Sequence, residues 1–322
     1  QDEGMIRIGI VGTSSISERF AEAVAIVEGI GVSRVASRDA ERAGSFADRV
    51  GAPGVAVGLD DLLAAPDVDA VYLASPNAVH AAQITSAVDA GIPVLVEKPA
   101  VLRAGEWDAA VAHARRCGVV LLEAMRTAYD PGLSAVRAAL PALGTVRRVS
   151  LRYEKRSARY DEVLAGRQTN IFDPELGGSA LRDLGVYPLH ALVRLFGEPG
   201  AVHGVRVGIA SGTDGVGSAL ASYDGFVADV AWSKITDTSL QSEIQGEDAS
   251  LLIDAIDAPR RLVLTPRGGV SSVITVPADD NPMVGEVRRF VDAVEGADIT
   301  NDQDCTATTL RMIDALLDRP LV

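Results

Sequence analysis

The most constraining feature of this sequence is the alternation of short apolar runs with helical patterns over its first 126 residues. The run Ile6 to Val11 ends at Gly12, and apolar residues then recur at helical spacing. Four further runs, each followed by a helical pattern or by the end of the region, are Val32 to Ser37, Ala70 to Ala74, Val94 to Val96 and Val119 to Glu123. This alternation predicts an α/β fold with a doubly wound parallel sheet, whose ligands bind at the carboxyl ends of the strands.

After Arg126 the rhythm changes to strand-like runs that predict a mostly antiparallel sheet. The runs are Val146 to Glu154, Val202 to Ile209, Ser218 to Tyr223, Val227 to Ser233, Ser242 to Gln245, Ser250 to Ile253, Arg261 to Leu264 and Ser272 to Val276. Helices are expected at Pro131 to Ala139, Ser179 to Phe196, Val284 to Glu295 and Asp302 to Leu317. We therefore expect a Rossmann domain over 1–126 and an α+β domain with a large open sheet over 127–322.

Composition excludes several classes of partner. The chain has 322 residues and a formal charge of −14, which argues against nucleic acid or an anionic membrane as a non-specific partner. No stretch approaches the roughly 20 uncharged apolar residues that span a bilayer, so we expect a cytoplasmic protein. Cys117 and Cys305 stand far apart without a nearby His or Cys, and this predicts neither a metal site nor a disulfide.

The turn after the first run carries a degenerate form of the Gly-x-Gly-x-x-Gly pattern with which dinucleotide folds approach a pyrophosphate. In that register the chain has Gly12, Ser14 and Ser17. A serine keeps its backbone N–H and adds a hydroxyl, but its Cβ narrows the closest approach. We expect Gly12, Ser14, Ser15 and Ile16 to bind the pyrophosphate; the alternative is a tight turn that binds no ligand.

The end of the second run indicates which dinucleotide is bound. An acidic residue there would hold a ribose 2′-hydroxyl, whereas an arginine accommodates a 2′-phosphate. This chain has Ser37 and Arg38, whose hydroxyl and guanidinium suit a phosphate, so NADP is favoured and NAD stays possible. The alternative is a solvated Arg38 that pairs with Asp39 or Glu41.

Polar residues also follow the third and fourth runs. They are Ser75, Pro76, Asn77 and His80 after one run, and Glu97, Lys98 and Pro99 after the next. All except Pro99 are candidates for cofactor contacts. A lysine between a carboxylate and a rigid proline could aim its ammonium at a bound ligand and transfer a proton. Because lysines at strand ends are usually solvated, the spacing alone leaves both interpretations open.

A second candidate group lies on the helix that follows the glycine-rich segment at Gly177. Asp183, Tyr187 and His190 fall at positions i, i+4 and i+7, which places them on one helix face. A carboxylate, a phenol and an imidazole in an otherwise apolar segment form either a buried hydrogen-bond network or the wall of an active site. Periodicity alone slightly favours the network.

Taken together, these segments resemble the successive motifs of the Gfo/Idh/MocA family of glucose-fructose oxidoreductases and inositol dehydrogenases. The matching segments are Gly12 to Ser17, Ser75 to His80, Glu97 to Pro99, Gly177 to His190 and Ser242 to Ser250. The resemblance implies an NAD(P)-dependent dehydrogenase or reductase that acts on CH–OH groups of a sugar, polyol or dihydrodiol-like substrate. It also implies a homodimer or homotetramer built through the C-terminal sheet.

The resemblance assigns roles to individual residues. Lys98 would be the central catalytic residue, and Asp183 would assist it. Tyr187 stands where inositol dehydrogenase-like members have a histidine, and it is similar to the tyrosine that other branches use as general acid. Tyr187 therefore ranks above His190 as proton donor. Candidate substrate contacts are Arg126, Arg159, Tyr160 and Asn170, with a surface or subunit-interface pair as the alternative for Arg159 and Tyr160.

The expected reaction is hydride transfer between the nicotinamide and a substrate carbon, with Lys98 and Tyr187 bonded to the same substrate oxygen. Asp183 and His190 would orient the substrate or the phenol, and no metal is required because the nicotinamide carries the redox chemistry. Two alternatives stay open. One is a non-catalytic NADP(H)-binding sensor or scaffold with a degenerate glycine loop, and the other is a homo-oligomer that has lost the cofactor.

Overall fold

The computed structural model describes residues 4–322, which divide into two compact units. Unit 1 consists of the chain up to Arg126 together with residues 279–304, and unit 2 consists of residues 127–278 and 305–322. The first division falls where the sequence changes rhythm. The expected domain 127–322 differs from unit 2 because residues 279–304 return to unit 1.

The helices and strands alternate in unit 1, and strands dominate unit 2. The strands are β1 (Ile6–Val11), β2 (Ile30–Ser37), β3 (Gly54–Val57), β4 (Ala70–Leu73), β5 (Val94–Glu97), β6 (Leu121–Ala124), β7 (Val146–Glu154), β8 (Ala201–Gly208), β9 (Asp214–Tyr223), β10 (Phe226–Ser233), β11 (Ser242–Gly246), β12 (Ala249–Ile253), β13 (Arg261–Pro266) and β14 (Ser272–Thr275). The α-helices are α1 (Ser15–Val24), α2 (Ala40–Val50), α3 (Leu59–Leu63), α4 (His80–Asp89), α5 (Ala104–Cys117), α6 (Pro131–Ala139), α7 (Tyr160–Leu164), α8 (Val186–Phe196), α9 (Val284–Val294) and α10 (Thr300–Leu317).

Within the described residues, β1 to β6 form one sheet in the order β3-β2-β1-β4-β5-β6, and every neighbouring pair is parallel. The predicted doubly wound sheet is thereby confirmed. Strands β4, β5 and β6 are buried along their whole lengths, as parallel strands covered on both faces must be. The sequence analysis missed β3 and α3, which are short and contain one buried residue each, Ala56 and Leu62.

The segment 279–304 is attached to unit 1 through side-chain bonds to its backbone. The Trp107 indole donates to the Gln303 carbonyl at 3.0 Å, and the Gln303 side chain donates to the Leu121 carbonyl at 3.0 Å. The Asn281 amide donates to the Arg19 carbonyl at 2.7 Å. These bonds explain why α9 belongs to the unit that contains the parallel sheet.

Strands β7 to β14 form a second sheet in the order β14-β13-β12-β11-β7-β10-β9-β8. All its neighbouring pairs are antiparallel except β7 and β10, which run parallel, so the expected mostly antiparallel sheet is confirmed. Helix α8 packs against β7 and β10.

Trp232 on β10 is the packing centre between this sheet and the segment that leads into α8. Its side chain is fully buried, and its indole donates to the Asp214 carboxylate at 3.1 Å. Asp214 also accepts the Leu181 N–H at 2.9 Å. A Cβ on Gly217, the register partner of Trp232 on β9, would lie 2.4 Å from the indole ring, so only glycine fits there.

The helix expected over Ser179 to Phe196 is not uniform. Leu181–Gly185 forms a π-helical turn, and α8 begins after it. Pro188 lacks an N–H, and in a regular α-helix its ring would clash with the Leu184 carbonyl four residues earlier. The wider turn removes this conflict, and turns of this kind often occur at functional sites.

Gly217→Ala is expected to destabilise the protein by about 2 kcal/mol, because the added methyl group overlaps the rigid Trp232 ring. Gly105→Ala in α5 is the matched control: its Cβ would meet nothing within 4 Å, and the change should stabilise by about 0.5–1 kcal/mol. Urea unfolding of both variants measures the difference. An equal effect of the two changes would contradict this packing.

Candidate active site

The loop between β1 and α1 is a tight turn that packs against the residue after β4 and leads into the N-terminus of α1. Gly12 has φ +114°, and a Cβ there would lie 2.6 Å from the Ala74 carbonyl oxygen, so both conformation and space require glycine. Ser14 precedes α1 without capping it through its side chain. The first-turn N–H groups of α1, from Ser15 onward, are the groups that a helix leaves for an anion.

Serine also fits the third position of the degenerate glycine pattern. Ser17 is fully buried, and its hydroxyl lies 3.4 Å from that of Ser14. The structure therefore accommodates a serine side chain where the pattern has its third glycine.

At the end of β2, the Ser37 hydroxyl accepts the Asp39 N–H at 3.3 Å, and the Asp39 carboxylate caps α2 by accepting the Arg42 N–H. Arg38 is exposed, and within residues 4–322 it forms no ion pair, including with Asp39 or Glu41. Its guanidinium is therefore accessible from outside the protein.

The loops after β4 and β5 are joined through His80. This side chain is fully buried, with Nε2 2.9 Å from the Ser75 carbonyl oxygen and Nδ1 3.3 Å from the Pro99 carbonyl oxygen. Burial lowers the pKa of His80, and a neutral imidazole donates to only one of these carbonyls at a time. Asn77 is partly exposed in the short turn that precedes His80. The His80 side chain links the loop after β4 to the loop after β5.

Glu97 and Lys98 end β5. Glu97 is buried, accepts the Tyr72 hydroxyl proton at 2.5 Å and accepts the Lys98 N–H at 3.2 Å. Burial raises the pKa of Glu97, against the opposing effects of the Lys98 charge and the Tyr72 hydrogen bond. This bond holds the backbone of Lys98 directly after β5, at the carboxyl edge of the sheet.

The second group of candidates lies in unit 2, around Tyr187. Its ring is 5.4 Å from the Tyr153 ring in an edge-to-face arrangement, and the residue is largely buried. Asp183 forms a 2.6 Å ion pair with Lys234, and its side chain is 38% exposed against 2% for Lys234. The carboxylate thus meets solvent on one side and a buried ammonium on the other.

Lys234 also binds the loop that precedes the glycine-rich segment. Its ammonium lies 3.4 Å from the Ile171 carbonyl oxygen and 4.7 Å from the centre of the Phe172 ring. Gly178 permits this loop to pass, because a Cβ there would lie 2.7 Å from the Asn170 carbonyl oxygen.

His190 does not share the surroundings of Asp183. It is buried between α8 and α10, with Nδ1 3.3 Å from the Thr309 hydroxyl. Burial, together with the charge of Arg194, lowers the pKa of His190 to about 3. His190 and Asp183 therefore have different partners, and the role of His190 in orienting the substrate or the phenol stays a prediction.

The four candidate substrate contacts are divided between the units. Arg126 in unit 1 acts electrostatically on Glu97. In unit 2, Arg159 is exposed just before α7, Asn170 is exposed, and the Tyr160 ring lies 6.0 Å from Phe172.

Sequence reasoning missed the roles of Lys234, Glu123 and Glu286. Lys234 follows directly on β10, as Lys98 follows β5, and that parallel position is the signal that could have identified it. Glu123 lies at the end of β6 and accepts the Ala100 N–H at 2.9 Å. Glu286 stands four residues before the buried Phe290 of α9. It is an acidic residue on an apolar helix face.

Two further findings bear on the site. Among residues 4–322, no group of three or more His, Cys, Asp or Glu side chains is arranged to hold a metal ion. In the same part of the chain, none of the helices has the length and apolar character that crossing a membrane requires.

Comparison with known families decides the classification. Residues 6–125 match the family described as "Oxidoreductase family, NAD-binding Rossmann fold", and residues 137–252 match the GFO/IDH/MocA C-terminal domain. The chain belongs to the Gfo/Idh/MocA family of oxidoreductases.

Individual relatives of this family member cover nearly its whole length. It is 38% identical over 300 residues to scyllo-inositol 2-dehydrogenase (NADP(+)) IolU of Bacillus subtilis, covering 93% of this chain and 92% of the relative. It is 30% identical to D-xylose 1-dehydrogenase (NADP(+)) 2 of Haloferax volcanii, covering 96% of each. The crystal structure of KijD10, a 3-ketoreductase from Actinomadura kijaniata, in complex with NADP and TDP-benzene shares the fold, with TM-score 0.87, 24% identity and coverage of 98% and 97%.

This Gfo/Idh/MocA protein is therefore an oxidoreductase that depends on a nicotinamide dinucleotide. The comparisons support this function, and they do not support the alternative of a non-catalytic sensor or scaffold.

The burial of His190 predicts a pH dependence of stability. Its folded-state pKa of about 3 lies below the ordinary value of 6.5, so its contribution is fully present above pH 6.5 and is lost as the pH falls towards 3. We expect the free energy of unfolding of the wild type, measured relative to that of His190→Gln, to fall by up to about 1.4 kcal/mol per pH unit as the pH drops. Unfolding at pH 4.5 to 7 measures both slopes, and His113→Gln, at an exposed ion pair, is the control.

Proposed function

We propose that this protein is an NADP-dependent dehydrogenase that oxidises a hydroxyl of a sugar, polyol or dihydrodiol-like substrate and reduces the corresponding carbonyl. The observation that carries the proposal is Lys98, held by Glu97 at the carboxyl end of β5 in a dinucleotide-type sheet. The names of the inositol and xylose dehydrogenases among the relatives support both the cofactor and the substrate class.

The residues of unit 1 fit NADP. Gly12 permits the tight turn against the Ala74 carbonyl, and the first turn of α1, with Ser14, Ser15 and Ile16, would hold the pyrophosphate. Ser37 and Arg38 would hold the 2′-phosphate, since Arg38 has no competing ion pair within the described chain. Ser75, Pro76, Asn77 and Glu97 would flank the nicotinamide, with His80 positioning their loops.

When bound, the nicotinamide accepts or supplies the hydride. In this proposal, Lys98 and Tyr187 carry the proton chemistry at the substrate oxygen. In the reductive direction their N–H and O–H groups would donate to the carbonyl, stabilise the developing negative charge and deliver a proton. In the oxidative direction the same groups would take the hydroxyl proton.

Asp183 would accept hydrogen bonds from substrate hydroxyls, and Lys234 would keep it ionised and oriented. Arg126, Arg159, Tyr160 and Asn170 are proposed as further substrate contacts. His190 would act only through α8, which it holds against α10 by its contact with Thr309.

We also propose that the protein is a cytoplasmic homo-oligomer. The outer face of the second sheet exposes Val205, Val207, Leu220 and Val227, a set of apolar side chains on adjacent strands that a second copy could cover. Neither Cys117 nor Cys305 forms a disulfide, which supports a reducing compartment.

Arg38→Ala should weaken NADPH binding about 10- to 100-fold, because charge-assisted bonds to a phosphate contribute about 1.5–3 kcal/mol. NADH binding should change less than about threefold, since NADH lacks that phosphate. Nicotinamide fluorescence titration measures both constants, with Arg116→Ala at an exposed position on α5 as control. Equal weakening of both cofactors would contradict the assignment.

Lys98→Ala and Tyr187→Phe should each lower kcat for NADP⁺-dependent oxidation by about 100-fold or more, as loss of a proton-transfer group does. Scyllo-inositol and D-xylose are the first substrates to assay. Tyr223→Phe, which loses a hydroxyl bonded to the Gly197 carbonyl, is the matched control. Retention of full kcat by Lys98→Ala would remove Lys98 from the mechanism.

A further inference from the structure

Glu286 on α9 is a buried carboxyl group that no hydrogen bond satisfies. Its side chain is 0% exposed, and neither carboxylate oxygen has a hydrogen-bond partner in the described chain. A buried ionised carboxylate without partners costs several kcal/mol or more, so this arrangement requires an explanation.

Four charged groups of unit 1 act on the Glu286 carboxyl. In order of their effects they are Glu97, Arg126, Glu123 and Lys98. We call these four side chains and Glu286 the carboxyl cluster: three buried carboxyl groups and two basic side chains that interact electrostatically. If all five were ionised, the cluster would carry a net charge of −1 in a buried environment, and a single proton makes it neutral.

The hydrogen bonds indicate which group holds that proton. Glu97 accepts from the Tyr72 hydroxyl and from the Lys98 N–H, and Glu123 accepts from the Ala100 N–H. Bonds of this kind favour the ionised form of the carboxyl that accepts them. Glu286 accepts none, so it is the member for which protonation costs least. Burial, reinforced by the charge of Glu97, raises the pKa of Glu286 well above 4.5, which agrees with this distribution.

A bound cation is the other way to neutralise three carboxyl groups. Among the described residues, these side chains are not arranged as a metal site. Lys98 and Arg126, the two cationic side chains of the cluster, already neutralise part of its negative charge.

We propose that Glu286 is a positioning residue for Lys98 that stays protonated while Glu97 and Glu123 are ionised, so that the carboxyl cluster is electrically neutral. Only the consequence of this protonation state for catalysis rests on the proposed function. A further negative charge would hold the Lys98 proton more tightly and oppose its transfer to the substrate oxygen. Glu286 thus keeps the charge around Lys98 constant over the working pH range.

Infrared spectroscopy of the cofactor-free protein tests the protonation state directly. The wild type at pH 7 should show the carbonyl stretch of a protonated carboxylic acid, and Glu286→Gln should lack it. Glu295→Gln, at an exposed residue just after the same helix, should retain it. Absence of the band in the wild type, or its persistence in Glu286→Gln, would overturn the proposal.

The pH dependence of unfolding gives an independent measurement with a defined sign. Because the folded-state pKa is raised, the contribution of Glu286 is fully present below 4.5 and is lost as the pH rises towards the folded-state value. Glu286→Gln lacks this loss. Its folding constant relative to the wild type should therefore increase between pH 5 and 7, by up to about tenfold per pH unit. A flat or opposite trend refutes a protonated Glu286, and Glu286→Met repeats the test if the glutamine variant does not fold.

Enzyme kinetics separate the role of Glu286 from that of an ionised neighbour. Glu123→Gln removes a negative charge and should move the alkaline limb of the kcat/KM profile for carbonyl reduction, the direction that needs protonated Lys98, to lower pH, whereas Glu286→Gln should leave that limb in place. Equal shifts in both variants would show that Glu286 is ionised. If the wild type turns over no substrate, the proposed function fails, while the infrared and unfolding results still decide the state of Glu286.

Discussion

Parallel pairing of β1, β4, β5 and β6 is the constraint on which unit 1 depends. Each pair aligns the strands so that their carboxyl ends meet at one edge of the sheet. Residues far apart in sequence, among them Gly12, Ser75, Lys98 and Arg126, are brought to that edge by the hydrogen-bond ladder alone. Their chemistry becomes one site because the strands cannot pair in another direction without reversing the helical crossovers.

The same edge concentrates charge in a buried setting. Glu97 ends β5 and Glu123 lies near the end of β6, and α9 adds Glu286. Water is excluded there, so each carboxyl must be satisfied by a hydrogen bond, a cation or a proton. Tyr72, Lys98, Arg126 and the Ala100 amide meet the first two needs. The arrangement around Lys98 is therefore an electrostatic balance and not a single ion pair.

In unit 2, the packing around Asp183 holds a partly exposed carboxylate in a defined direction. Trp232 and Asp214 anchor the turn that begins at Leu181, and this turn carries Asp183. Lys234 is buried directly after the strand that contains Trp232, and its ion pair with Asp183 fixes the carboxylate. A side chain that is already held by rigid packing loses less conformational entropy when it binds a ligand.

The sequence by itself determined the parts of this protein that depend on local pattern. The apolar runs and helical spacing specified the two sheets. Local residues also set the ends of α2, because Asp39 caps its start and Gly51 adopts φ +69° at its end. Only the tertiary structure decided that His190 faces Thr309, that Lys234 pairs with Asp183 and that α9 brings Glu286 to the parallel sheet. Periodicity records which face of an element is apolar, but it does not record which distant element covers that face, because such contacts depend on packing between segments remote in the chain.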